Sequence, residues 1–153
     1  MTTKLVQGAP EVLFRLVREG SRQPVKSTVG STGYDVFAPT YDREAEELVV
    51  TAFPNPIHTG LSVAVPEGYD LQVRGRSGLA TKGVLVVPGT IDSDYRGELI
   101  ILMYTTGQTM HVVKAGDRIA QLVLVQLSTI PWREVDELPD TVRGKSGFGS
   151  TGR

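Results

Sequence analysis

The chain predicts an all-β domain, and three observations carry that expectation. Glycine (17 residues) and proline (9) cut the apolar residues into short runs at 12–17, 48–53, 61–65, 69–73, 84–87, 99–104 and 119–127, a rhythm of strands and turns. In two of these runs the side chains alternate. Leu61, Val63 and Val65 are interleaved with Ser62 and Ala64, and Leu71 and Val73 with Gln72 and Arg74, which is the period of a half-buried pleated strand. The length of 153 residues fits one domain, large enough to bury roughly 70% of the unfolded chain's surface.

The run at 12–17 has six apolar or mixed residues in a row and could open a helix, but its short length and the strands elsewhere favour a strand. Pro66-Glu67-Gly68 is a turn between the two alternating runs. The stretches 99–104 and 122–125 are apolar on both faces, which a strand needs only when both sides are covered. A central strand of a two-sheet sandwich and a subunit interface account for that pattern about equally well. The acidic stretch 42–48 reads as a solvated loop or a single helical turn. From about Pro139 the composition becomes that of an appendage, so the expected division is a β domain over 1–138 and a glycine-rich tail over 139–153.

Composition excludes several classes of function. Lysine and arginine number 16 and aspartate and glutamate 17, a net charge of -1, so there is no global basic field for grasping nucleic acid. The absence of cysteine removes disulfides, thiolate nucleophiles and cysteine zinc ligands, and with only His58 and His111 a histidine-rich metal site is not expected. The start, MTTKLVQGAPEVLF, has no apolar core of signal-peptide length, and no run approaches ~18 apolar residues. A soluble, intracellular protein off the membrane is expected, with cytoplasm and nucleus not distinguished.

Four stretches could carry chemistry. GRSGLA at 75–80 follows a strand and offers an arginine fork, a hydroxyl and a glycine that admits a ligand to the backbone. PGTIDSDYRG at 88–97, read as a hairpin, puts Asp92, Asp94, Tyr95 and Arg96 near one turn. Either aspartate could bond its own turn or serve as a general base. In AGDRIAQ at 115–121, Asp117 and Arg118 read as a structural ion pair, and Gln121 as an amide in need of partners. RGKSGFGSTGR at 143–153 contains a false P-loop, because proline occupies position 139, where that motif needs glycine, and too few residues follow for a helix. The tail is either a frayed end or a segment that folds over a phosphate, with Phe148 stapling to its own core or covering a planar ligand.

Together these stretches resemble the dUTPase family, the homotrimeric dUTP pyrophosphatases. GSTGYDV at 30–36 is similar to its first motif, GRSGLA to the second, GTIDSDYRG to the third, AGDRIAQL to the fourth and RGKSGFGSTG to the fifth, in order over residues 30–152. The resemblance implies a jelly-roll-like β fold and a homotrimer with active sites at subunit interfaces, one chain's tail closing as a lid over a site built by others. It also implies hydrolysis of dUTP to dUMP and pyrophosphate with Mg2+ as cofactor.

Carried onto this chain, the resemblance makes Asp92 the base for a water attacking the α-phosphorus. Tyr95 would lie against the deoxyribose and leave no room for a 2′-hydroxyl, while the backbone of Gly89, Thr90 and Ile91 would read the uracil edge. Arg76, Ser77 and Gly78 would hold phosphates, with Gln121 close by. Asp35 would meet the magnesium through water. Arg143, Gly149, Ser150 and Thr151 would bind the γ-phosphate end, and Phe148 would stack on uracil. The chain departs from the family pattern at Thr32, Gly75, Thr105 and Ala115, each beside an expected contact residue. The alternatives are a dCTP deaminase, for which no separate acid–base residue is found, and a non-catalytic binding module, which decay of Asp92 or the tail would favour.

Overall fold

The computed structural model describes residues 10–40, 47–107 and 109–147. Ten strands and one helical turn follow each other as β1 Leu13–Leu16, β2 Tyr34–Phe37, β3 Glu47–Val50, β4 Asn55–Ala64, β5 Tyr69–Arg74, α1 Ser77–Ala80, β6 Val84–Val86, β7 Gly89–Ile91, β8 Glu98–Thr105, β9 His111–Lys114 and β10 Arg118–Gln126. They form two four-stranded sheets, ordered β1-β4-β8-β6 and β2-β10-β5-β7, and a two-stranded ribbon, β3-β9. All the pairings between strands are antiparallel. This is the all-β, jelly-roll-like arrangement that the resemblance implies.

The alternation read in the sequence places the core. Leu61 and Val63 of β4 and Leu71 and Val73 of β5 are all buried, as are Leu99, Ile101 and Met103 of β8 and Leu122 of β10. They belong to one apolar cluster fed by both large sheets, the expected solution for sheets with one apolar face each.

The run at 12–17 is a strand at one edge of its sheet, beside β4 alone, and every residue of β1 is exposed. Of the run at 48–53 only the first part is strand. Glu47 and Leu48, read as loop or helical turn, open β3 instead, where they pair with Lys114 and Val113; residues 42–46 lie outside the described residues. Three short strands, β2, β7 and β9, were not expected, since each sits beside glycine-rich or polar stretches that dilute its pattern.

The two doubly apolar stretches differ from each other. In β8 the inward residues are buried, whereas Ile100 and Leu102 are 44% and 38% exposed, so this chain's own second sheet covers one face only. In β10 Leu122 and Val123, on opposite faces, are both buried. After Gln126 the chain has no further strand among the described residues, and it runs on to residue 147 as an exposed arm. No helix among the described residues is long and apolar enough to cross a membrane.

Candidate active site

Three adjacent strands assemble a charged cradle. β10 lies between β2 and β5 and sets Gln121 opposite Asp35 on one side and Arg74 on the other. Beyond β5 the chain passes Gly75 and enters the single turn of α1, whose first N–H groups close on the Arg76 carbonyl. Arg76 thereby points back across the sheet end. Its Nε donates to Asp35 Oδ1 at 3.0 Å, and its Nη1 to the Arg118 carbonyl at 3.2 Å.

Asp35 organises the cluster. Its Oδ2 accepts from Ser27 Oγ at 2.7 Å and Arg118 Nη1 at 3.2 Å. Partial burial pushes this carboxyl up, but the Ser27 hydroxyl and the Arg76 and Arg118 guanidinia outweigh it and hold Asp35 below its usual value. A carboxylate offers about four acceptor positions. Three are taken, which leaves one on Oδ1.

Gln121 donates from Nε2 to the Gly75 carbonyl at 2.9 Å and lies directly over Gly33. A Cβ at position 33 would stand 2.4 Å from Gln121 Oε1, so only glycine lets the amide fold down there. The cradle surrounds a cavity of about 360 Å³ lined by Ser27, Ser31, Thr32, Gly33, Asp35, Arg76, Ser77, Gly78 and Gln121. Asp35 and Arg76 stand at its wall with Arg118 behind them on the same carboxylate, and the surplus of positive charge beside hydroxyls and backbone suits phosphate oxygens.

The second group is the hairpin between β7 and β8. Gly89, Thr90 and Ile91 form β7 and pair with Val73, Gln72 and Leu71. The turn that follows is closed by Tyr95 N to Asp92 O at 3.2 Å and by Arg96 Nη1 to the carbonyls of Ser93 and Tyr95 at 2.7 and 2.8 Å. Asp92 and Tyr95 are both exposed. Tyr95 donates its hydroxyl to the Glu98 carbonyl at 2.9 Å.

The two groups stand at opposite ends of the β5–β7 ladder. Since Ile91 pairs with Leu71, Asp92 lies level with Asp70, whereas Arg76 lies beyond Arg74. At ~3.3 Å per strand residue the run from Asp70 to Arg74 alone is about 13 Å. The structure thus brings together Asp35, Arg76, Ser77, Gly78 and Gln121, and separately Gly89, Thr90, Ile91, Asp92 and Tyr95. Arg143 is in the exposed arm, where its Nε donates to the Ser146 carbonyl at 3.0 Å, and it does not line the cavity. Phe148, Gly149, Ser150 and Thr151 lie outside the described residues.

One sequence expectation is corrected and two site residues are added. Asp117 and Arg118 do not pair with each other. Asp117 Oδ2 accepts from Lys114 N at 2.8 Å and closes the β9–β10 turn, while Arg118 reaches across to Asp35. Arg118 is therefore a cradle residue, which its place in the AGDRIAQ stretch hinted at. Ser27 is another, and nothing in its local sequence marks it. Among the described residues no group of three or more histidines or carboxylates could hold a metal. The single open position on Asp35 fits a contact through water to an ion held chiefly by a ligand's own oxygens.

A family model for dUTPase matches residues 21–152. The deoxyuridine 5'-triphosphate nucleotidohydrolase of Zymomonas mobilis is 45% identical over 133 residues, 84% of this chain and 87% of that one. That of Fusobacterium nucleatum is 42% identical over 151 residues, 94% and 99% of the two chains. Among solved structures, the dUTPase of Staphylococcus bacteriophage 80alpha with dUpNHpp is 28% identical with a TM-score of 0.76, over 94% of this chain and 99% of that chain. A mutant dUTPase from phage phi11 of S. aureus, described as coordinating a structural Mg(II) ion, is 26% identical with a TM-score of 0.71, over 83% and 97%. With a cradle and a hairpin built from the matching stretches and a family match over nearly its whole length, the chain belongs to the dUTPase family.

Proposed function

We propose that this protein is a dUTP diphosphatase that hydrolyses dUTP to dUMP and pyrophosphate. The observation that carries the reading is the convergence of Arg76, Ser77, Gly78 and Gln121 on one cavity beside Asp35, in a chain of the dUTPase family whose exposed hairpin carries Asp92. Asp92 takes a proton from a water as that water's oxygen bonds to the α-phosphorus; the bond to the β-phosphate side breaks, and pyrophosphate leaves. Arg76 and the backbone at Ser77 and Gly78 hold the phosphates, so positioning and electrostatics supply most of the barrier reduction. Gly89, Thr90 and Ile91, stiffened by pairing with β5, read the uracil edge through backbone groups. Tyr95 packs against the sugar where a 2′-hydroxyl would stand.

In this reading Mg2+ would be held mainly by the triphosphate, whose charge it would neutralise, and Asp35 would meet it through water. Arg143, Phe148, Gly149, Ser150 and Thr151 form the lid, Phe148 over the base and the others on the γ-phosphate end. Such a lid makes residues 139–153 a functional unit apart from the domain at 1–138.

The active assembly is a homotrimer with sites between subunits. Two observations support this. Asp92 and Arg76 are separated by more than about 13 Å along β5, too far for one chain to hold an α-phosphate and activate its attacking water. Apolar side chains also stand exposed on β8 and on the arm, Ile100 and Leu102 on the one and Ile130, Trp132 and Leu138 on the other, as surfaces that a second copy would cover.

The test is pyrophosphate release from dUTP with magnesium, with dCTP, dTTP and UTP as competitors and Asp92→Asn as control. Preference for dUTP and loss of rate in the variant are expected. Equal rates for parent and variant would remove Asp92 as the base, and ammonia release from dCTP would move the chain to the deaminase class.

A further inference from the structure

The hairpin that carries Asp92 and Tyr95 is exposed, yet its base is held by a cluster outside the five motif contacts. Glu98 is the first residue of β8, directly after the hairpin. Its Oε1 accepts from Arg18 Nε at 2.7 Å and from the Gly60 N–H at 2.8 Å. Its Oε2 lies 2.8 Å from Arg18 Nη2 and 3.0 Å from His58 Nδ1. The carboxylate thus ties together the chain just beyond β1, the middle of β4 and the start of β8.

The place of this tie is specific. The β4–β8 ladder runs in register from Asn55 to His58, breaks, and resumes at Ser62 opposite Glu98. In the break Gly60 adopts a φ of +66°, and its N–H turns to the Glu98 side chain rather than to a strand neighbour. Glu98 therefore replaces ladder hydrogen bonds where the sheet cannot make them. The Arg18 fork, the first cause, holds its carboxyl down to about 2 in spite of partial burial, with help from His58 and the Gly60 N–H, so the tie stays charged at neutral pH.

Tyr95 rests on the backbone that this tie immobilises. Its hydroxyl donates to the Glu98 carbonyl, and its ring lies on Gly97 so closely that a Cβ there would stand 2.5 Å from Cζ. The ring's pose is therefore set by the main chain at positions 97 and 98.

We propose that Glu98 is a positioning residue for sugar discrimination: clamped by Arg18, His58 and the Gly60 N–H, it fixes the main chain against which Tyr95 is seated. The inference rests on the reading of Tyr95 as the residue that excludes a 2′-hydroxyl. With the tie cut, the ring gains freedom to move away, and UTP is admitted.

The experiment compares kcat/KM for dUTP and UTP in the full chain with magnesium, for the parent, Glu98→Gln, Tyr95→Phe and Tyr95→Ala, with a thermal melt of each. Glu98→Gln keeps the side chain's shape and removes its charge; Tyr95→Phe keeps the ring and removes the bond to the Glu98 carbonyl. Both should lower the dUTP/UTP ratio by roughly tenfold, the worth of one lost hydrogen bond, through a lower KM for UTP, which a general loss of folded protein would not produce. Tyr95→Ala should lower it further. A parental ratio in folded Glu98→Gln, with a collapsed ratio in Tyr95→Ala, overturns the positioning role and leaves the reading of Tyr95 intact. A parental ratio in Tyr95→Ala overturns that reading and the inference with it. Should Glu98→Gln fail to fold, Tyr95→Phe decides: a parental ratio there overturns the inference.

Discussion

The cradle and the hairpin solve opposite problems. In the cradle, charge is fixed by charge: the Asp35 side chain is only 11% exposed and holds Arg76 and Arg118 within 3.0 and 3.2 Å, so both guanidinia are prearranged. In the hairpin, Asp92 and Tyr95 stand in solvent and order comes from below, through the turn's own carbonyls and the Glu98 tie. The difference teaches where each reads its ligand. The cradle keeps its cations fixed against an anion within its own sheet, while the hairpin presents its side chains outward, as the proposed site between subunits requires.

The sharpest way to break the comparison is to remove the projecting base. Asp92→Asn should cut kcat by about 10²–10⁴-fold and leave the melting temperature and native mass unchanged; a large loss of stability would show that the hairpin is a structural element. Removal of residues 143–153 should come next, lowering kcat/KM for dUTP by about tenfold or more if the lid completes the site, with native mass lowered only by the tail itself. Loss of the assembly would mean that these residues hold it together.

In the cradle the expected signature is reversed. Asp35→Asn leaves two guanidinia facing each other without their shared anion, and should cost about 1–3 kcal/mol in urea unfolding as well as weakening substrate binding. Unchanged stability would mean that the arginines are not held by Asp35. Gly33→Ala should be milder, because the clash falls on the end of the flexible Gln121 side chain; KM for dUTP should rise several-fold while the melting temperature shifts little.

A further effect is in pH. Folding lowers Glu98 from 4.5 to about 2, so its contribution to stability is fully present above about pH 4.5 and is lost as the pH falls toward 2. The stability difference between the parent and Glu98→Gln should therefore be constant from pH 5 to 7 and shrink below that. A difference that grew on acidification would place the origin of the effect elsewhere.

Much of this was legible in the chain. Alternation at 61–65 and 69–73 marked two core strands because a pleat exposes every second side chain. The order of the five motifs carried the family and the identity of the cradle's main residues, since those contacts depend on residue types in short, contiguous stretches. The strands β2, β7 and β9 were hidden because three or four residues among glycines carry too little pattern. Adjacency in sequence suggests a pair between Asp117 and Arg118, but neighbouring side chains along an extended chain point to opposite faces, and Arg118 meets Asp35 across the sheet.

By itself the sequence determined the all-β class, through the spacing of its apolar runs, and the family, through five short motifs in order, whose resemblance also named the groups proposed for phosphate, base and sugar. Only the tertiary structure decided how those groups are divided. Antiparallel pairing of β7 with β5 sends the Asp92 turn away from Arg76, so motifs close in the chain end far apart in space. Residues 18, 58, 60 and 98 carry no motif, and they meet only because β1, β4 and β8 lie side by side and the ladder between two of them is broken.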